Sequence, residues 1–468
     1  MGIFKSYDIR GLYGDEWNAD TAYRIGSALP GLLGAEDIVV GRDARLSSGE
    51  ISESLVRGIT DAGCEVADVG LCSTPALVFA AAAYGYGGSV MVTASHNPAE
   101  YNGLKISGRR AVPVGYENGL NELERIVSSE AAGEGEPHDR AGARGAARSL
   151  DIRADYLVHL ERFNRGIGST RAVIDCSDGM AGLFIGDVID RLDGRFTLLF
   201  DTPDGRFPHH DPNPLEEKNL EALKRGVLEE SADLGICFDG DADRVMFVDE
   251  RGRFVSPDLI TAVLARHYFD HEPERRDGSD VVLYDVRSSR SVVEEVRRLG
   301  GEPVMCRVGH AYAKRLLRER NGILGGELAG HYYFKENFFC DSGMIAALLV
   351  LSVLSRERGT LSELVASVQR YAYSGEINFQ VEDKAGIIES LRRDYTGGEL
   401  TGIDGIRVDF PSWWFNVRPS NTEPYLRMVV EASSPEELRE RTGELTDRIR
   451  RAGSSHDTAG GEEMEGHR

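Results

Sequence analysis

A chain of 468 residues exceeds what a single hydrophobic core organises, so three or four domains are expected. Hydrophobic residues make up 41% and charged residues 28%, the balance of an ordinary folded protein. A net charge of −23 argues against nucleic acid and anionic membrane as partners, and any phosphorylated ligand would need a local basic cluster to overcome that field.

From the N-terminus, Met1-Gly2-Ile3-Phe4-Lys5-Ser6-Tyr7-Asp8 lacks the basic-then-apolar layout of a signal peptide. Apolar strand-like runs then alternate with amphipathic segments of helical period. Strands are expected at Asp37–Gly41, Gly88–Thr93, Ala172–Asp175, Leu234–Phe238 and Val281–Tyr284, and helices at Ile51–Ala62, Leu220–Glu229 and Ser291–Leu299. Such alternation implies parallel, three-layered α/β domains, with ligands at the carboxyl ends of the strands. Ser128–Ser149 reads as a linker or a variable excursion, the polar turn Glu250–Arg253 closes a second domain, and a third boundary lies near Arg370. Beyond it, strands near Ile406–Phe410 and Leu426–Glu431 and a charged helix over Pro435–Arg451 give an α+β segment. The longest apolar run, Met344–Leu354, is interrupted by Ser352 and falls short of the roughly 18 residues of a membrane span. The cysteines (Cys64, Cys72, Cys176, Cys237, Cys306, Cys340) show no CxxC pair and no zinc spacing, and Cys176 and Cys237 read as buried structural thiols. The expected compartment is the cytoplasm.

Four loops carry chemistry. Thr93-Ala94-Ser95-His96-Asn97-Pro98 follows an apolar strand, which would leave Ser95 exposed at the strand end and open to covalent modification. His96 and Asn97 can donate to a phosphate there, and Lys105, beyond the Asn102-Gly103 turn, is a cation within loop reach. A plain turn or helix cap is the bland alternative. Asp239-Gly240-Asp241-Ala242-Asp243-Arg244 sets carboxylates at every second position between two apolar runs, able to converge on one hard cation. Its alternatives are a solvated acidic turn and an EF-hand loop. The EF-hand fits poorly, because its sixth position is Arg244 instead of Gly and its flanks read as strands. Arg244 beside the cluster suits a phosphate ester.

Gly325-Gly326-Glu327-Leu328-Ala329-Gly330-His331 lets backbone approach a polyhydroxylated ligand closely, with Glu327 accepting from two hydroxyls. Arg418-Pro419-Ser420-Asn421-Thr422-Glu423-Pro424 makes a cradle for a phosphate dianion, or a turn between strands. No Walker-type loop is present.

In this order the four loops resemble the α-D-phosphohexomutase family, most closely its bacterial phosphomannomutase/phosphoglucomutase members. The resemblance runs from Tyr7-Asp8-Ile9-Arg10-Gly11 to the Arg418 loop. It implies a four-domain α/β architecture, three similar three-layer α/β/α domains and a C-terminal α+β domain around a central cleft. The domains would span 1–140, 150–252, 253–368 and 369–455, with 456–468 a disordered tail. It implies that Ser95 carries a phosphoryl group and binds Mg²⁺ together with Asp239, Asp241 and Asp243. It further implies that Glu327 selects sugar hydroxyls, and that Arg418, Ser420, Asn421 and Thr422 hold the non-reacting phosphate. Tyr7, Arg10, Lys105, Arg244, Arg287, His310 and His331 match cleft positions. The general acid or base stays open among Lys105, His331, His310 and a route assisted by Arg10.

Ala329 stands where many relatives carry Ser, and Arg287 where some carry Lys, which loosens the inference to substrate preference. His331-Tyr332-Tyr333-Phe334 and Trp413-Trp414-Phe415 look more like the mannose/glucose branch than the glucosamine branch. The implied activity interconverts hexose 1- and 6-phosphates through phosphoserine and a hexose 1,6-bisphosphate, with glucose 1,6-bisphosphate as activator and a monomer or homodimer as the working form. Rivals are a phosphoglucosamine mutase, a catalytically silent sugar-phosphate sensor and a metal-dependent phosphatase. The phosphatase would need a further carboxylate/His cluster, and the sequence shows none.

Overall fold

The computed structural model describes residues 2–131, 144–420 and 425–454. The first sheet runs Ile9–Leu12, Tyr101–Gly108, Gly88–Val92, Asp37–Arg42, Glu65–Leu71, Ala147–Ser149. The second runs Phe254–Val255, Val245–Asp249, Leu234–Phe238, Thr170–Asp175, Gly194–Leu199. The third runs Glu302–Cys306, Val281–Asp285, Leu324–Gly326, Tyr332–Phe334, Cys340–Asp341.

These sheets are mixed, which corrects the all-parallel expectation. In each, one strand (Gly88–Val92, Leu234–Phe238, Leu324–Gly326) lies parallel to one neighbour and antiparallel to the next strand in sequence. The reason is local. The connection after each of these strands is too short for the crossover a parallel partner needs, so the chain folds straight back. The serine, aspartate and Gly325–His331 loops are therefore the same structural feature used three times.

Ser128–Ala131 ends a helix, Leu120–Ala131, and Ala147–Ser149 is an edge strand beside Glu65–Leu71. The middle of the expected linker, and the expected tail 456–468, lie outside the described residues. The Glu250–Arg253 turn joins two strands of the second sheet. The Met344–Leu354 run forms the buried middle of the helix Gly343–Glu357, opened by Ser342 accepting from the Ile345 N–H. Among the described residues no helix is long and apolar enough to cross a membrane.

One apolar cluster joins the first three units. It includes Phe79, Phe184, Phe238, Tyr284, Phe334 and Leu361, and the Gly343–Glu357 helix runs through it. The fourth unit is antiparallel, with Ile377–Gln380, Tyr425–Ala432, Trp413–Pro419 and Ile406–Asp409 at its centre, and has its own core of Ile406, Trp413, Phe415, Met428 and Ile449. Its seam with the third unit is polar. Arg290 binds Asp409 Oδ1 at 3.0 Å and the Phe410 carbonyl at 2.6 Å, and Arg407 binds the Val286 carbonyl at 2.8 Å.

Candidate active site

The fully buried strand Gly88–Val92 delivers the chain to Ser95, whose φ of +51° is a left-handed conformation that non-glycine residues adopt only when their surroundings enforce it. Thr93 Oγ1 accepts from the Ser95 N–H at 2.9 Å. The side chain is not exposed, as the sequence implied, but only 1% accessible. The cause is tertiary: the aspartate loop of the second unit closes over it. Ser95 Oγ donates to Asp239 Oδ2 at 2.6 Å and lies 3.3 Å from His96 Nδ1. A Cβ on Gly240 would sit 2.5 Å from the Ser95 carbonyl oxygen, so glycine is required for this approach.

Asp239, Asp241 and Asp243 are all fully buried, and their ligand oxygens lie within 4.8 Å of one another. Lys105 Nζ reaches Asp241 Oδ2 at 2.6 Å and also binds Asp243 Oδ2; Thr74 Oγ1 donates to Asp241 Oδ2 as well. Asp241 Oδ1 and Asp243 Oδ1 accept no hydrogen bond. Burial and the two neighbouring carboxylates push the Asp239 carboxyl well above the usual range. Burial raises the Asp243 carboxyl too, but Lys105, His331 and Arg244 outweigh it and hold that group low. A buried, mutually repelling set of hard oxygens with two lone acceptors fits a divalent cation. Arg244 donates its backbone N–H to Asp239 Oδ1 at 3.1 Å, and its Nε lies 4.0 Å from Asp239 Oδ2. Arg10 spans Asn97 Oδ1 (2.7 Å) and Asp8 Oδ2 (2.5 Å), which ties the N-terminal segment to the serine loop.

The third unit brings His331 to the same centre. Its Nδ1 lies 2.8 Å from Asp341 Oδ2 and 3.7 Å from Asp243 Oδ1, and Lys314 Nζ holds the other Asp341 oxygen at 2.7 Å. Asp243, His331 and Asp341 thus form a further carboxylate/His cluster, contrary to the sequence reading that none exists. Its members come from two different loops and the strand Cys340–Asp341, so no spacing reveals it. Burial raises the Asp341 carboxyl, yet Lys314 and His331 outweigh this and hold it far below the usual range.

Glu327 is buried; its Oε2 accepts from the Gly309 N–H at 3.2 Å and its Oε1 from the Tyr333 hydroxyl. Ala329 offers no polar side-chain atom. Tyr7 packs edge-on against His310 at 4.9 Å, and His310 lies 5.8 Å from His331. Burial, then Lys314 and Lys105, keep the His310 imidazole neutral; burial, then Arg244 and Arg10, do the same for His96.

Between the third and fourth units three guanidinium groups meet one carboxylate. Arg418 Nη2 lies 3.1 Å and Arg287 Nη1 3.4 Å from Glu376 Oε2, and Arg427 Nη1 lies 2.9 Å from Oε1. Asp285 Oδ2 also holds Arg287 at 2.6 Å while accepting from the Leu328 N–H at 2.9 Å, which links the cradle to the Glu327 loop. Ser420 follows Arg418 at the strand end, and Asn421 and Thr422 lie outside the described residues. Sequence reasoning missed Asp341, Lys314, Thr74 and Glu376, whose partners come from distant segments, and Asp285, which holds Arg287 two residues away as well as the distant Leu328 N–H.

Profiles of the phosphoglucomutase/phosphomannomutase family match four consecutive stretches: alpha/beta/alpha domain I over residues 1–134, domain II over 154–252, domain III over 256–371 and the C-terminal domain over 376–448. A Xanthomonas campestris protein named phosphohexose mutases is 39% identical, over 96% of this chain and 99% of its own. The Pseudomonas aeruginosa phosphomannomutase/phosphoglucomutase is 36% identical, over 93% of each chain. Among solved structures, a phosphoglucomutase/phosphomannomutase family protein from Burkholderia thailandensis superposes with a TM-score of 0.86 over 98% of both chains at 30% identity. Four matched domains in order, relatives aligned over nearly the full length and a shared fold establish that the chain belongs to the phosphoglucomutase/phosphomannomutase family.

Proposed function

We propose that the protein is a phosphosugar mutase that interconverts the 1- and 6-phosphates of mannose or glucose through phospho-Ser95. The observation that carries this reading is the contact of Ser95 Oγ with Asp239, inside a buried ring of Asp241, Asp243, Lys105, Arg244 and His331. That ring supplies both a phosphoryl carrier and the charges a phosphoryl group needs.

In the first half-reaction the free hydroxyl of a hexose phosphate attacks phosphorus. The P–Oγ bond of Ser95 breaks and its electron pair stays on Oγ, while the hydroxyl proton passes to His331. Asp341 fixes His331 by its Nδ1, leaving the other ring nitrogen to hold that proton. The bisphosphate reverses in the cleft. Ser95 Oγ then takes the other phosphoryl group, the sugar oxygen–phosphorus bond breaks, and His331 returns the proton to the sugar oxygen. Lys105 and Arg244 neutralise charge on the transferring group. Mg²⁺ held by Asp239, Asp241, Asp243 and the seryl phosphate would supply Lewis acidity. Arg287, Arg418 and Ser420, with Asn421 and Thr422, hold the phosphate that does not react, in either orientation of the sugar. Glu327, with Tyr7 and His310 alongside, orients the hydroxyls; Ala329 removes one contact that a serine would make.

The test is incubation with Mg²⁺, a trace of glucose 1,6-bisphosphate, and mannose 1-phosphate, glucose 1-phosphate or glucosamine 1-phosphate. Formation of 6-phosphates, lost with EDTA, is the expected result, with the mannose and glucose esters fastest. Release of inorganic phosphate without isomerisation would sink the mutase reading in favour of a phosphatase.

A further inference from the structure

Arg45 is among the largest buried side chains in the molecule, 2% accessible, and lies outside every motif discussed above. All five of its guanidinium N–H groups can be assigned an acceptor. Nε binds Asp43 Oδ2 at 3.1 Å. Nη1 binds the carbonyls of Pro98 (2.5 Å) and Tyr101 (3.0 Å). Nη2 binds those of Ser95 (2.8 Å) and Asn97 (2.6 Å). The planar fork thus gathers the carbonyls of Ser95, Asn97 and Pro98 in the serine loop and of Tyr101, the first residue of the strand that follows it. A lysine, with three donors on a flexible stem, cannot reproduce that pattern. Asp43 in turn fixes the arginine, its Oδ1 accepting from the Arg45 N–H at 3.0 Å and from Ser48 Oγ at 2.5 Å.

The same arginine meets the second unit. Its Cζ lies 5.0 Å from the centre of the Phe207 ring. A Cβ on Gly205 would fall 2.1 Å from the Ala44 carbonyl oxygen, so the two backbones touch there. The unit that contributes Asp239 to Ser95 is therefore also seated on the residue that shapes the Ser95 backbone.

We propose that Arg45 is a positioning residue for phosphoryl transfer: by binding the carbonyls of Ser95, Asn97, Pro98 and Tyr101 it holds the left-handed Ser95 backbone so that Oγ faces the aspartate loop. The inference rests on the reading of Ser95 as phosphoryl carrier. Arg45 touches no reacting atom. Its loss should slow transfer while leaving the affinity for hexose phosphate, set by the Glu327 and Arg418 loops, nearly intact.

The experiment is rapid-quench measurement of single-turnover transfer from phospho-Ser95 to glucose 1-phosphate, with steady-state kcat and KM and thermal midpoint, in wild type, Arg45→Lys, Asp43→Asn and Ser95→Ala. In Arg45→Lys transfer should slow by about 100-fold, the scale of a misplaced reacting group, with KM within about 2-fold of wild type. Asp43→Asn, isosteric but stripped of the charge that anchors Nε, should slow the same step by a smaller factor. A lowered midpoint with wild-type transfer per folded molecule would mean that Arg45 is only structural and would overturn the proposal. If Arg45→Lys does not fold, wild-type transfer in Asp43→Asn overturns it equally. Full activity in Ser95→Ala would instead overturn the serine reading itself.

Discussion

One apolar cluster runs through the first three units, beside a second confined to the first, whereas the fourth is built around its own and meets the third through arginines and backbone carbonyls. The proposed chemistry divides along the same line. Ser95, the aspartates, Lys105, Arg244 and His331 sit where these units meet, and all but Lys105 are buried there. Arg418, Arg427 and Ser420 belong to the separate unit, joined to the third by Arg287 through Glu376. A polar interdomain seam permits relative motion more readily than a continuous apolar core does. The difference teaches how one site could serve two substrate orientations: rigid where bonds change, adjustable where the spectator phosphate is gripped.

If the division is right, substitutions on the rigid side act on turnover and those on the adjustable side on binding. The largest effect is expected from Asp241→Asn. It should lower kcat by about 10³-fold, the several kcal/mol a Lewis acid contributes, and raise the Mg²⁺ concentration needed for half-activity. Magnesium titration of the steady-state rate reads both. His331→Gln should lower kcat by about 10²- to 10⁴-fold, the range for a general acid or base, with Asp341→Asn following in the same direction by about 10- to 100-fold. Unchanged kcat in His331→Gln would remove it from the proton path. On the other side, Arg418→Lys should raise KM by about 10- to 100-fold, the loss of a charged hydrogen bond to phosphate, and disturb kcat much less. An effect confined to kcat would break the comparison.

The smallest effect concerns stability. His267 is fully buried, with Arg356, His271 and Arg165 nearby and Glu272 at 3.8 Å, that carboxylate already held by Arg165, Arg275 and Arg356. Burial first, then those cationic neighbours, pulls its pKa from 6.5 down to about 3. As pH falls below the unfolded value, the unfolded chain takes up a proton that the folded protein excludes. This group's contribution to stability is then lost at about 1.4 kcal/mol per pH unit. Denaturant midpoints measured from about pH 7 to pH 4 should fall less steeply in His267→Phe than in wild type.

The sequence carried the parts of the site whose residues are neighbours in the chain. Asp239, Asp241 and Asp243 alternate along one short loop between paired strands, so their proximity is legible from sequence spacing. The serine loop and the Gly325–His331 loop likewise follow from a strand, a turn signal and the residues in the turn. What stayed hidden depends on segments far apart. Asp341 meets His331 only because adjacent strands bring them together. Glu376 is one acid among many until Arg287, Arg418 and Arg427 surround it. Ser95 read as exposed because nothing local says that Gly240 will lie against it. The mixed sheets were missed because alternation of strands and helices reports their order and not the direction of the last pairing.

The most direct test of the account is to locate the phosphoryl group. The protein would be incubated with Mg²⁺ and glucose 1,6-bisphosphate, digested and mapped by mass spectrometry before and after a chase with excess mannose 1-phosphate. The account predicts a phosphoryl group on Ser95 that the chase removes into hexose bisphosphate, at a rate no slower than turnover. Phosphate on another residue, or an active enzyme whose Ser95 never carries phosphate, would contradict it.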